Sequence, residues 1–121
     1  MVDFAGLMWV IGGSVNPWYS AEVWSSPNGA SWTLRTSTPG FSAREGASAV
    51  VHNGKLWLIC GDSQAGMLDE VWSSTDGITW IMETDSVPFG SRIQHTTVSF
   101  NTKLWVLGGW DSSYIIKGDV W

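Results

Sequence analysis

The tract Lys55-Leu56-Trp57-Leu58-Ile59-Cys60-Gly61 returns as Lys103-Leu104-Trp105-Val106-Leu107-Gly108-Gly109, and its tail already stands at Leu7-Met8-Trp9-Val10-Ile11-Gly12-Gly13. The spacing from Trp9 to Trp57 is 48 residues, and it is 48 again from Trp57 to Trp105. A period of about 50 residues built from strand-sized apolar units points to a propeller or solenoid, in which each unit buries its faces against its neighbours. The 121 residues hold about two and a half such units.

Four short strands are legible in each unit. Ala47-Ser48-Ala49-Val50-Val51 is matched by His95-Thr96-Thr97-Val98-Ser99-Phe100. A tight turn follows at Asn53-Gly54, where the pair supplies the positive φ of a two-residue hairpin. The Lys-Leu-Trp run comes next, apolar throughout as in a strand buried on both faces. The third strand is Glu22-Val23-Trp24-Ser25-Ser26, repeated as Glu70-Val71-Trp72-Ser73-Ser74 and Asp119-Val120-Trp121. The fourth is Ser31-Trp32-Thr33-Leu34 or Thr79-Trp80-Ile81-Met82, with the alternation of a half-exposed strand. No stretch carries helical periodicity. Eight of the ten tryptophans occupy repeat registers (9/57/105, 24/72/121 and 32/80), which assigns them to packing. Trp18 and Trp110 fall outside the registers.

A formal charge of −5 with six Lys and Arg provides no basic face for a phosphate backbone, so nucleic acid is excluded as a partner. The single cysteine, Cys60, excludes an internal disulfide framework. It stands in the register of Gly12 and Gly108 with no basic neighbour, which reads as an inert thiol. No signal peptide is visible, and no apolar run approaches the ~20 residues that span a bilayer. The chain reads as soluble, without membrane association, and its compartment stays open.

A strand closing on a double glycine, a variable loop, Asp/Glu-Val-Trp and a later Trp together resemble the kelch repeat. Gly12-Gly13 and Gly108-Gly109 match the family's glycine pair, and Cys60-Gly61 departs from it by one residue. The resemblance implies an all-β fold of kelch-like β-propeller blades, with about two and a half four-stranded repeats per chain. Residues 1–35 would supply strands two to four of a first blade, 36–83 a complete second blade, and 84–121 strands one to three of a third. Arg44 and Arg92 match the arginine that precedes the axial strand in that family, where it bonds carbonyls of neighbouring blades. A weaker likeness joins Ser74-Thr75-Asp76-Gly77-Ile78-Thr79-Trp80 and Ser26-Pro27-Asn28-Gly29-Ala30-Ser31-Trp32 to the Asp-box turn of sialidase-like propellers. There an Asx side chain caps backbone N–H groups, which is folding chemistry.

Both terminal units would present unpaired edges, and such edges are templates for association. Two chains bring six blades, a common number for closed kelch rings, so a homodimer closing a six-bladed ring is the expectation; a truncated piece of a larger propeller is the competing reading. The candidate ligand or partner surface lies on the variable loops and comprises Trp18, Tyr19, Asp62, Trp110, Asp111 and Tyr114. Exposed aromatics suit a protein partner, and a glycan is the alternative. His52, His95 and Cys60 are not spaced as ligands, no Tyr–acid pair is evident, and paired carboxylates appear only as Asp69-Glu70, whose side chains diverge on a strand, so no metal, cofactor or enzymatic activity is expected.

Overall fold

Three hairpins mark the period, and each turns on two successive residues at positive φ: Ala5-Gly6 (52° and 74°), Asn53-Gly54 (48° and 71°) and Asn101-Thr102 (52° and 64°). These are the values a two-residue hairpin needs to follow strand twist. The turns join β1 (Val2–Phe4) to β2 (Leu7–Val15), β5 (Ser48–His52) to β6 (Lys55–Ile59), and β11 (Thr96–Phe100) to β12 (Lys103–Leu107). The repeated tryptophan locks each hairpin. Its indole N–H donates to the carbonyl that closes the preceding strand: Trp9 to Phe4 at 3.0 Å, Trp57 to His52 at 3.1 Å and Trp105 to Phe100 at 3.1 Å.

The computed structural model describes all of residues 1–121 as an all-β chain of antiparallel sheets. With β3 (Trp18–Ser26) and β4 (Thr33–Thr36), the first sheet runs β1-β2-β3-β4. The second runs β5-β6-β9-β10, where β9 is Val71–Ser74 and β10 is Ile81–Thr84. A small hairpin of β7 (Asp62–Ser63) and β8 (Gly66–Met67) interrupts it. The third sheet is β11-β12, extended by a bridge from Leu107 to Val120. There Val106 and Trp121 exchange two backbone hydrogen bonds of 2.9 Å. No helix is long and apolar enough to cross a membrane.

Three expectations are corrected. Residues 1–35 supply four strands rather than three, because Val2 pairs with Trp9 and Phe4 with Leu7; the Ala5-Gly6 turn does the work of Asn-Gly without its signature. The variable stretch that carries Trp18 and Tyr19 is not a loop either. β2 and β3 continue pairing through Ser14 with Tyr19 and Val15 with Trp18, turning at the cis Asn16-Pro17 bond. Trp18 and Tyr19 therefore sit on a strand. The outer strands also begin two residues later than the repeat pattern suggests, at Thr33 and Ile81, because the Asx turns before them take up Ser31, Trp32, Thr79 and Trp80.

The core lies between sheets. Trp9, Val23, Phe41, Leu56, Leu58, Trp72 and Trp80 fill the space between the first and second. Ile59, Cys60, Val87 and Val106 fill that between the second and third. The inner strands β1, β5 and β11 lie side by side in that order. Within each sheet the Trp register of the third strand faces the preceding sheet and the Val register the following one, since Trp72 packs with the first sheet and Val71 with the third.

Candidate functional site

The repeat builds one recurring polar centre. Arg44 has a fully buried side chain whose Nη2 donates to Glu70 Oε1 at 2.7 Å. Its Nη1 donates to the Cys60 carbonyl at 3.0 Å and its Nε to the Ser42 carbonyl at 3.1 Å. The guanidinium lies 5.3 Å from the Phe41 ring centre, and Phe41 meets Trp72 edge-on at 6.1 Å. Trp72 donates its indole N–H to the other oxygen of Glu70 at 2.7 Å.

The third sheet repeats the arrangement, except that Arg92 Nε has no hydrogen-bond partner and Phe89 meets Trp121 tilted rather than edge-on. Arg92 forks onto both oxygens of Asp119, donates to the Gly108 carbonyl at 2.9 Å and lies 5.4 Å from the Phe89 ring. Trp121 donates to Asp119 at 2.9 Å. Burial pushes the Arg44 pKa down despite Glu70, whereas the fork onto Asp119 outweighs burial and raises that of Arg92. The Arg92 hydrogen bonds in turn hold Asp119 well below the usual carboxylate range.

The kelch likeness implied arginines bonding carbonyls of neighbouring blades; here the side chains bond carbonyls of their own sheet. The arginine backbone makes the link to the preceding sheet instead: Gly13 N–H donates to the Arg44 carbonyl at 2.8 Å, and Gly61 N–H to that of Arg92 at 2.9 Å. Gly12, next to this link, is glycine for space, since a Cβ on it would meet the Arg44 carbonyl at 2.7 Å.

Beside Arg44 opens a cleft of about 340 Å³, walled by Trp18 and Tyr19, by Ser42 and Ala43, and by the β7–β8 hairpin at Ser63–Ala65. Trp18 is 60% exposed. The Tyr19 hydroxyl donates to Asp62 Oδ2 at 3.1 Å. That bond first, then burial and the charges of Asp62 and Glu45, hold the phenol above its ordinary range, so it serves as a donor. Trp18, Tyr19 and Asp62 thus come together. Trp110, Asp111 and Tyr114 stand on the loop after β12 and do not wall the cleft, although Tyr114 is near enough to Tyr19 to help raise its phenol. Trp110 is half-buried and bridged through its backbone to Ile93 and Ile116. Asp111 is taken up by its own loop, pairing with Lys117 at 2.6 Å and capping the N–H groups of Ser113 and Ile115. Tyr114 is exposed.

Burial pushes the Cys60 thiol up to about 12, which leaves it protonated and inert. Sequence reasoning missed two groups. The carboxylates Glu70 and Asp119 were visible only as the polar head of a strand, and the signal that finds them is their shared register with the two arginines. His95 and Thr97 are buried with Nδ1, Nε2 and Oγ1 unpartnered, and nothing in the repeat marks them, because Ala47 stands in the His95 register. No family model and no curated protein matches the chain.

Proposed function

We propose that the chain is a kelch-like propeller module that acts without catalysis, by protein–protein interaction, and that it pairs with a second copy to close a six-bladed ring. The observation that carries this reading is how burial varies along one register. Val23, which faces the second sheet, is 0% exposed, whereas Val120, which has no following sheet, is 56% exposed. Val98 and Phe100 are likewise exposed on the third sheet. Its outer flank repeats the face that the first sheet presents to the second. The outer flank of the first sheet, bearing Trp24, repeats the face that the second presents to the first. A head-to-tail contact joining these two flanks reproduces an interface the chain already contains, and such contacts either close into rings or run on as filaments. Trp18, exposed at the cleft rim, is the anchor offered to a protein partner, as large aromatics are at interaction hot spots.

Light scattering during gel filtration tests this. The expected mass is about twice the 13.2 kDa of one chain. A folded species at the single-chain mass overturns the ring.

A further inference from the structure

We infer that the cleft between the first and second sheets is a docking site for an arginine side chain of a partner protein, stacked on Trp18 and neutralised by Glu45 and Asp62. The two carboxylates belong to residues that face each other across a bridge. Glu45 N–H donates to the Asp62 carbonyl at 2.9 Å, and Asp62 N–H to the Glu45 carbonyl at 2.8 Å. Residues paired in this way carry their side chains on one face, about 5 Å apart, where like charges repel. No lysine or arginine relieves them, because the ion pairs of the chain are made by Glu70, Glu83, Asp111 and Asp119. The Asp62 side chain accepts only the Tyr19 hydroxyl. The fold does not ask for these charges: 48 residues further on, the same bridge is formed by Ile93 and Trp110.

The cleft defines what would neutralise them. Asp62 opens the β7–β8 hairpin, whose Ser63–Ala65 wall the cleft together with Trp18 and Tyr19. The Asp62 hydrogen bond and burial, then the charges of Asp62 and Glu45, raise the Tyr19 phenol, so both charges reach the cleft wall. Four other rings of the chain carry a cation over their faces, and three of those cations are arginines: Arg35 at Trp9, Arg44 at Phe41 and Arg92 at Phe89. Trp18, 60% exposed, carries none. A metal ion would make no use of the indole face and finds no third acidic, His or Cys ligand here. A guanidinium uses both features, stacking on the indole while its fork bonds carboxylate oxygens, which selects arginine over lysine. A volume of about 340 Å³ admits the whole side chain. The walls come from two sheets that the chain itself packs together. The inference therefore rests on the reading of Trp18 as a partner anchor and not on ring closure.

The test titrates N-acetyl-arginine methylamide into the intact chain and follows the Trp18 indole N–H by NMR, its signal identified by its loss in Trp18→Phe. Saturable shifts in the millimolar range are expected. The citrulline analogue, alike in shape but uncharged, should bind about tenfold more weakly. So should the arginine compound with the double variant Glu45→Gln, Asp62→Asn, whose circular dichroism should match the parent because the third sheet builds this bridge without charge. Absence of saturable shifts at Trp18 overturns the inference. Equal binding of the arginine and citrulline compounds also overturns it, by making the cleft an apolar or sugar-binding surface. That comparison is made on the parent chain, so it stays decisive even where the double variant fails to fold. Light scattering on the same samples reads the ring separately: a single-chain mass with arginine binding intact sinks the ring alone, and a double mass without arginine binding sinks this inference alone.

Discussion

His95 is 7% exposed at the head of β11, and neither ring nitrogen has a partner. Burial first, and the Arg92 charge second, push its pKa down from 6.5 to about 4. The folded chain keeps the ring neutral across that window, while the unfolded chain takes up a proton near 6.5. The His95 contribution is thus full above pH ~6.5 and is lost as pH falls towards 4, by up to ~3 kcal/mol. The carboxylates held low, Asp76, Asp111 and Asp119, titrate below this window and do not mask it. Urea midpoints taken at pH 7 and pH 5 should differ for the parent chain. The difference should shrink sharply in His95→Ala, which installs the residue that the second sheet carries at that register. An unchanged difference would assign the slope to another group.

At the scale of single elements, the turn before each outer strand shows what a repeat does and does not specify. Asp76 Oδ1 accepts from the N–H groups of Ile78 and Thr79, both at 2.8 Å, and Asn28 Oδ1 from those of Ala30 and Ser31, both at 2.9 Å. The two turns are alike internally and differ in what lies above them. A Cβ on Gly77 (φ +74°) would enter the Trp9 ring at 2.2 Å, whereas one on Gly29 (φ +76°) would meet only the flexible end of Met8 at 3.3 Å. Gly29→Ala should cost ~1 kcal/mol from the left-handed backbone alone, and Gly77→Ala a further 1–3 kcal/mol or so from overpacking. Chemical denaturation of both variants checks this, and equal losses would show that Trp9 yields freely. Much of this was legible in the sequence. The period, the hairpins at Asn53-Gly54 and the Asx turns follow from local chemistry, which residue type reports directly. Val2–Phe4 was not legible, because three residues joined by Ala-Gly carry no alternation to detect. Nor was the β3 placement of Trp18 and Tyr19: a variable stretch after Gly-Gly reads as a loop, whereas here strand pairing runs on through Gly13 with Ser20. The cleft depends on that extension, which carries Trp18 and Tyr19 out to Ser42 and Ser63.

For the molecule as a whole, the question is which surface is a seam and which an outer face, and exposure alone does not separate them. Ile81 is 61% exposed and Val120 is 56% exposed, yet they differ in direction. Ile81 lies on β10, the outermost strand of a sheet already covered on both flanks, so its exposure is that of a solvated edge. Val120 occupies the register whose other members, Val23 and Val71, point at the following sheet, so it lies on the face that the proposed pairing would cover. A carboxylate at the second position would be desolvated on pairing with no cation nearby, a cost of several kcal/mol; at the first it would remain in water. Val120→Asp should therefore halve the mass seen by light scattering while leaving the far-ultraviolet sheet spectrum in place, and Ile81→Asp should leave both unchanged. Were Val120→Asp to keep the double mass, the flank of the third sheet would not be the joining surface, and self-association would have to run through a different face.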